Sequence, residues 1–237
     1  MFSIVIPIFN EAENIEFLIE EIQKSLQKKY NKFDLILVND GSSDDTVEVV
    51  NNLKKKYHII LLNNDINKGQ SYSIHKGITE SKNNIIVTLD GDGQNNPVDI
   101  PFLLDKYYSD DKIFLVGGIR QGRKDNYIKI LSSLIANKIR SYIFNDGCKD
   151  TGCSLKVFDR EIFLNFPFFS GIHRFLPALY KGYSYKAFFV KVGHRSRIRG
   201  KSKYGIFDRL YRGLIDIIKV KKIIKDKRKN KNNKNEF

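Results

Sequence analysis

The feature that most constrains this fold is a series of short apolar runs in the first half of the chain. The runs are SIVIPIF, FDLILVND, HIILLNN, NIIVTLD and IFLVGG. They are continuously hydrophobic instead of alternating with polar residues, which is typical of strands buried on both faces of a parallel sheet. Helical patterns lie between them, as where Ile15, Leu18 and Ile22 recur at helical spacing. The sequence therefore predicts an α/β fold, an open and mostly parallel sheet flanked by helices.

Polar residues follow every one of these runs. In an open α/β sheet, ligands bind beyond the carboxyl ends of the strands, so these positions are where a site is expected. The segments are residues 7–11 (PIFNE), 40–44 (DGSSD), 67–69 (NKG) and 90–92 (DGD), followed by Arg120. We expect these acids, amides and bases to converge on one edge of the sheet.

Asp90 and Asp92 carry the most specific chemical signal. Residues i and i+2 project to the same face of an extended strand, roughly 7 Å apart, and the flanking glycines let the two groups approach further. Like charges about 5 Å apart repel by roughly 3 kcal/mol at an effective dielectric near 20, a cost that a cation would remove. An EF-hand loop is excluded, since Asn95 and Pro101 stand where it requires Gly and Glu. Mg²⁺ or Mn²⁺, held by carboxylates and substrate phosphate oxygens, fits better.

Charge indicates the kind of partner. The chain of 237 residues carries 41 Lys and Arg against 27 Asp and Glu, a net charge of +14. This excess favours a partner that carries phosphate: nucleic acid, an anionic membrane or a phosphorylated substrate. The alternative is that most of the lysines form a solvated face without a partner.

Missing motifs exclude several classes of protein. The sequence contains neither a Walker GxxxxGK[ST] motif nor a GxGxxG motif, which argues against a P-loop NTPase and a dinucleotide dehydrogenase. The scattered histidines have no HExxH spacing, which argues against zinc. Cys148 and Cys153 form no CxxC pair and suit packing positions in a reducing cytosol. The apolar N-terminus FSIVIPIF lacks a basic n-region and a cleavage site, which argues against export. No apolar run approaches 18 residues, which argues against a membrane-spanning helix.

The motifs, taken in order, resemble a known family. PIFNE, VNDGSSDDT, NKG, LDGDGQ and GGIRQGR are similar to the family 2 glycosyltransferases with a GT-A fold. The continuation DTGCSLKVFDRE and then RSRIRGKSKYG resembles the branch that contains dolichol-phosphate mannosyltransferase and bacterial polyprenyl-phosphate glycosyltransferases. The resemblance runs from about residue 1 to about residue 220. A lone DxD would be weak evidence, whereas this ordered set is specific.

The resemblance implies a donor site and a metal site. The residues that it assigns to the nucleotide-sugar are Pro7, Phe9, Glu11, Asp40, Lys68 and Asp90. It assigns a divalent cation, Mg²⁺ or Mn²⁺, to Asp90, Asp92 and Gln94. Phe9 stands where tyrosine is commoner in the family, so the aromatic ring is kept and the hydroxyl is lost.

The resemblance also implies catalytic and acceptor residues. Asp92, Asp150 and Arg120 are the catalytic candidates, with Arg120 beside the leaving diphosphate. Asp150 is an orienting group if the acceptor is a phosphate, and the leading base candidate if it is a hydroxyl. The acceptor phosphate is assigned to Arg197, Arg199, Ser202 and Lys203. Arg195 alternates with Arg197 and Arg199 and so shares their face, for which a solvated basic edge strand is the alternative.

The implied activity is that of an inverting, metal-dependent hexosyltransferase. It would move a sugar from GDP-mannose or a UDP-hexose to a polyprenyl phosphate. One alternative is transfer to a hydroxyl of a cell-surface polysaccharide. A second is a metal-dependent nucleotidyltransferase, for which PIFNEAEN lacks the expected Gly-rich basic signature. A third is a non-enzymatic basic module, which would leave the polar strand ends unexplained.

The chain divides into three predicted parts. Residues 1–205 form the GT-A domain, 206–224 an amphipathic basic helix and 225–237 a disordered polar tail. The helix predicts peripheral attachment to an anionic membrane at its cytoplasmic face, with no nucleic-acid partner. Its apolar stripe includes Phe207, Leu210 and Leu214. Packing of that stripe on the core, on a second copy of the chain or on a membrane-protein partner stays open.

Overall fold

A seven-stranded sheet runs through the centre of the protein. The computed structural model describes residues 1–122, 137–196 and 206–234. The strands are β1 (Phe2–Ile8), β2 (Phe33–Asn39), β3 (Ile59–Asn63), β4 (Ile85–Thr88), β5 (Ile113–Arg120), β6 (Lys156–Asp159) and β7 (Lys186–Val192). The helices are α1 (Ala12–Leu26), α2 (Thr46–Leu53), α3 (Gln70–Glu80), α4 (Ile100–Tyr108), α5 (residues 137–144), α6 (Arg160–Leu164), α7 (Ile172–Gly182) and α8 (Ile206–Lys234).

The strand order is β3-β2-β1-β4-β6-β5-β7. Strands β1 to β4 pair in parallel, and β7 pairs in parallel with β5. Strand β6 runs antiparallel to both of its neighbours, β4 and β5. The predicted open and mostly parallel sheet is therefore confirmed. Because β5 keeps the direction of β4, all the strands that the apolar runs predicted end at one edge of the sheet.

The continuous apolar runs are explained by helices on both faces of the sheet. Ile4 and Ile6 pack in one cluster with side chains of α1, α2 and α4. Val5, which points the other way, packs in a second cluster with side chains of α3 and α7. A strand covered on both faces requires apolar residues at successive positions, which is the pattern that the sequence displays.

Helix α8 packs against α7 through part of its length. Val220 and Ile224 are buried in the second cluster, and a Cβ atom placed on Gly182 would lie 2.5 Å from Ile224 Cδ1. On the other side of the helix, Ile218 is 69% exposed. Val220 and Ile224 lie outside the predicted apolar stripe, whereas its described members Ile215 and Ile218 are exposed. The side chains of Phe207, Leu210 and Leu214 lie outside the described part of the structure. The helix also continues to Lys234. The prediction of a disordered tail is therefore wrong for residues 225–234, which are rich in lysine, a good helix former.

Two further predictions can be compared with the described residues. Cys148 and Cys153 are buried free thiols, as expected of packing residues. No helix in the described ranges is both long enough and apolar enough to cross a bilayer.

Candidate active site

The turn after β2 is fixed by the carboxylate of Asp40. Its oxygens accept hydrogen bonds from Asn64 Nδ2 at 2.8 Å, from the Lys68 main chain at 2.9 Å and from the Gly69 main chain at 2.8 Å. The next residue, Gly41, has a φ of 72°, and a Cβ atom there would lie 2.7 Å from the Ile66 carbonyl carbon. Asp40 therefore anchors the loop that carries Lys68, which lies at the predicted donor site. The Lys68 ammonium lies 4.9 Å from the ring centroid of Tyr72.

The turn after β4 brings Asp90 and Asp92 together. Both are partly exposed, and Asp90 Oδ1 accepts a hydrogen bond of 2.6 Å from Gln70 Nε2. Burial, and then the charge of Asp92, raises the pKa of Asp90 to about 6, although Ser154, Lys156 and Arg120 act in the opposite direction. The repulsion inferred from the DGD spacing is therefore present in the folded protein.

The residues that follow the carboxylates form a hydrogen-bonded turn. The Gln94 main chain donates to Asp92 Oδ1 at 3.1 Å. Asn95 is buried, and its Oδ1 accepts a hydrogen bond of 2.6 Å from Ser154 Oγ. These contacts hold the turn against the segment that leads into β6.

Arg120 and Asp150, two of the predicted catalytic residues, form an ion pair in which Asp150 is buried and Arg120 is largely covered. Arg120 Nε and Nη2 each donate to one carboxylate oxygen of Asp150, both at 2.8 Å. The Arg120 main chain adds a bond of 3.2 Å to Asp150 Oδ2. A fork of this kind fixes the plane of the guanidinium as well as its position. Asp150 thereby orients Arg120 at the end of β5.

The predicted residues after β1 lie at the same edge of the sheet. Pro7 pairs with Val38 inside the sheet. Phe9 directly follows the last residue of β1 and is partly exposed. Glu11 is buried, its Oε2 accepts from Asn14 Nδ2 at 2.7 Å, and its main chain donates to Thr46 Oγ1 at 2.9 Å. The structure thus brings the strand-end residues of β1, β2, β4 and β5 to a single rim.

Two residues of this rim were missed from the sequence. Gln70, which contacts Asp90, directly follows the NKG segment, so extending that motif by one residue would have included it. Lys156 is buried at the first position of β6 and its ammonium donates to the Cys153 carbonyl. A lysine inside the apolar stretch SLKVF was the available signal for it.

The predicted acceptor residues Arg197, Arg199, Ser202 and Lys203 lie outside the described residues. Arg195, which was expected to share their phosphate-binding face, is described and forms an ion pair with Glu21 of α1. The shared face stays a prediction, because Arg197 and Arg199 lie outside the described residues.

The chemistry of the rim fits a hard divalent cation. Asp90, Asp92 and the Gln94 amide offer oxygen donors, which Mg²⁺ and Mn²⁺ prefer. Burial and the charge of Asp92 raise the pKa of Asp90, so a cation bound here would stabilise the charged form of the carboxylate. No group of three or more His, Cys, Asp or Glu side chains suited to a metal occurs in the described parts of the chain. A cation at this rim would therefore depend on ligands from its substrate as well.

Comparison with known families identifies the domain. Residues 3–166 match the model of glycosyl transferase family 2. The match covers the rim motifs from β1 through DTGCS and continues past β6.

Two curated relatives are similar over most of the chain. Dodecaprenyl-phosphate galacturonate synthase of Rhizobium johnstonii is 33% identical over 223 residues, which are 92% of this chain and 65% of that protein. Undecaprenyl-phosphate 4-deoxy-4-formamido-L-arabinose transferase of an Enterobacter species is 31% identical over 218 residues, 91% of this chain and 66% of that protein. The chain thus spans slightly less than two thirds of the length of these relatives.

Solved structures agree in fold. Glucosyl-3-phosphoglycerate synthase of Mycobacterium tuberculosis, in complex with phosphoglyceric acid, superposes with a TM-score of 0.72 at 18% identity, covering 92% of this chain and 79% of that one. A complex of the same enzyme with Mn²⁺, UDP and glucosyl-3-phosphoglycerate gives a TM-score of 0.71 at 19% identity, with the same coverage. The predicted GT-A fold is confirmed.

Proposed function

Because this chain belongs to glycosyl transferase family 2, we propose that it transfers a sugar from a nucleotide-sugar to a polyprenyl phosphate with inversion at the anomeric carbon. The observation that carries the proposal is the carboxylate pair on the rim, where burial and the charge of Asp92 raise the pKa of Asp90. The names of both curated relatives, each more than 30% identical, support a polyprenyl-phosphate acceptor.

The donor is bound through its diphosphate at the rim. Asp90, Asp92 and Gln94 would hold a divalent cation. The cation would neutralise the negative charge that develops on the departing nucleoside diphosphate. The Mn²⁺ and UDP bound by a protein of the same fold are consistent with this use of the fold. Pro7, Phe9, Glu11, Asp40 and Lys68 would line the nucleoside side of the site.

Arg120 would add a second positive charge, from a protein side chain, beside the leaving diphosphate. Its guanidinium is already oriented by Asp150 through two hydrogen bonds of 2.8 Å. Preoriented groups stabilise developing charge without reorganisation during the reaction. Arg120 would thus act on the diphosphate oxygens from the end of β5.

The acceptor is best explained as a phosphate. Both oxygens of Asp150 accept hydrogen bonds from Arg120, which supports an orienting role instead of a general base. A phosphate anion attacks without a strong base, whereas a hydroxyl requires one. The pairing of Asp150 therefore favours polyprenyl phosphate over a polysaccharide hydroxyl, with Arg197, Arg199, Ser202 and Lys203 as its proposed ligands.

The activity is tested by sugar transfer. The protein is incubated with Mn²⁺, undecaprenyl phosphate and a panel of labelled UDP- and GDP-sugars, and label is counted in the organic phase. We expect label from one donor, and none after EDTA. Label that enters only a water-soluble acceptor contradicts the lipid assignment, and full transfer in EDTA contradicts the metal.

Peripheral membrane binding is the second part of the proposal. On α8, Lys221 and Lys222 are exposed, as is Ile218. Each basic residue near an anionic surface contributes on the order of 1 kcal/mol, which salt screens. The helix therefore supports reversible, salt-sensitive binding to the cytoplasmic face of a membrane.

This binding is tested by sedimentation with anionic vesicles at low and high salt. Truncation before α8 is unsuitable, since Val220 and Ile224 belong to the core. The double variant Lys221→Glu/Lys222→Glu should bind less than wild type at low salt. Reversal of Lys54 and Lys55, two exposed lysines at the end of α2, is the matched control. Equal sedimentation of both double variants contradicts the role of α8.

A further inference from the structure

The segment after β7 runs antiparallel to the turn that follows the carboxylate pair. The Arg195 main chain donates to the Gln94 carbonyl oxygen at 3.0 Å, and Asn95 and His194 form an isolated β-bridge. The Gly193 main chain donates to Asp99 Oδ2 at 2.8 Å. Residues 193–195 therefore contact the turn that residues 94–99 form. We call residues 90–99 the metal loop.

This contact also orients the amide of Gln94. Gln94 Nε2 donates to the Arg195 carbonyl oxygen at 3.3 Å. A side-chain amide has a donor end and an acceptor end on opposite sides. Since the donor end is directed to Arg195, the carbonyl end is presented away from it, and oxygen is the atom that Mg²⁺ or Mn²⁺ binds. The position of the Arg195 backbone thus determines which end of Gln94 is available to a cation.

Arg195 is in turn held by helix α1. Its Nη1 and Nη2 donate to the two carboxylate oxygens of Glu21 at 2.8 and 2.6 Å. The guanidinium carbon lies 5.8 Å from the ring centroid of Phe17, one helical turn before Glu21. Neither Phe17 nor Glu21 is among the buried residues of α1. Two side chains that contribute nothing to the buried face of α1 converge on one arginine.

We propose that Glu21 and Arg195 are positioning residues for the metal loop, acting through the backbone of residues 94 and 95. The proposal rests on the proposed function, since the cation is that of the sugar-transfer site. Groups that orient metal ligands without touching the metal typically change its affinity 10- to 100-fold. The pair is partly exposed, at 31% and 23% of the side-chain surface, so we expect a value near the lower end of that range.

The test is a Mn²⁺ titration followed by electron paramagnetic resonance. The variants are Glu21→Gln, which removes the charge, and Arg195→Lys, which keeps the charge and loses the fork. Both should bind Mn²⁺ about ten-fold more weakly than wild type. The matched control is Glu20→Gln, because Glu20 is the preceding residue of α1 and pairs with Lys56 at 3.1 Å, away from the loop. Its affinity should equal that of wild type.

Amide hydrogen exchange of residues 90–96 gives a readout that needs no metal. Exchange there should increase in Glu21→Gln and Arg195→Lys and stay unchanged in Glu20→Gln, with equal thermal unfolding temperatures for the folded variants. Wild-type Mn²⁺ affinity and wild-type exchange in both variants overturn the positioning role. If wild type binds Mn²⁺ but transfers no sugar, only the proposed function is contradicted. The Mn²⁺ affinities of the variants still decide the positioning role.

Discussion

The carboxylates at the metal loop and at the contact between α7 and α8 differ in their charged neighbours. At the α7–α8 contact, the carboxylate of Asp216 is 5% exposed and lies 3.0 Å from Arg174 Nη2 and 3.8 Å from Lys219 Nζ. At the metal loop, Asp90 faces Asp92, and that charge adds to the effect of burial in raising its pKa. A carboxylate that is neutralised within the protein serves packing. Two carboxylates that repel each other cost stability, and a cation would offset that cost.

This difference gives a rule for substitutions. Changes at the carboxylate pair should cost activity and leave the free energy of unfolding unchanged or higher. Changes at the α7–α8 contact should cost stability and leave nucleotide binding unchanged. The Arg120–Asp150 pair lies between these cases, because it is neutralised internally and also lies at the rim.

The largest effect is expected for Asp92→Asn. Loss of one carboxylate removes charge stabilisation worth several kcal/mol in the transition state, so turnover should fall by at least about 10³-fold. Transfer assays measure the loss. Far-UV circular dichroism should match wild type, and the thermal unfolding midpoint should equal or exceed that of wild type. A folded variant with more than a tenth of wild-type turnover would remove Asp92 from the site.

Arg120→Met should lower both stability and turnover. It leaves Asp150, which is 7% exposed, without its ion-pair partner, and breaking such a pair costs about 3 kcal/mol. The double variant Arg120→Met/Asp150→Leu should recover most of that stability in urea denaturation, because both charges are gone. It should remain inactive. Recovery of turnover together with stability would show that Arg120 is only structural.

Gly182→Ala tests the other region. The added Cβ would lie 2.5 Å from Ile224 Cδ1, and overpacking of this kind costs about 2 kcal/mol. Urea denaturation should show the loss, while calorimetry should give a wild-type affinity for nucleoside diphosphate. Unchanged stability would mean that α8 does not pack on α7 in solution.

The smallest effect is the difference between wild type and Asp92→Asn in the pH dependence of metal-free stability. The pKa of Asp90 is raised to about 6 in the folded state, against about 3.9 when unfolded. The folded state therefore binds more protons between these values, and stability falls as pH rises from about 4 to about 6. Asp92→Asn lowers the folded pKa, so its decline should be smaller. Urea midpoints in EDTA between pH 4 and 7 measure this, and parallel curves for both proteins contradict the carboxylate repulsion.

The rim could be predicted from the sequence because its signals are local. The apolar runs specify β1 to β5, and the carboxylate pair is visible in the spacing of Asp90 and Asp92. Strand β6 was missed because it has only four residues, the first of which is Lys156. The helical state of residues 225–234 was missed because their composition is that of a polar, low-complexity segment.

Contacts between distant residues could not be predicted. Glu21 and Arg195 are 174 residues apart, and nothing near either residue indicates the other. The contact between Gly182 and Ile224 could not be predicted either. An apolar position on a helix indicates burial but does not indicate which residue packs against it. Side-chain pairing of this kind requires the fold, whereas strand and loop chemistry does not.

The most direct test of the account is calorimetric binding of UDP and GDP with and without Mn²⁺, to wild type and to Asp92→Asn. The account predicts that wild type binds one of these nucleotides at least about ten-fold more tightly with Mn²⁺, and that the variant loses this dependence. Nucleotide affinity that is independent of Mn²⁺ in wild type, or equally Mn²⁺-dependent in both proteins, would contradict the claim that Asp90 and Asp92 hold a divalent cation for the donor.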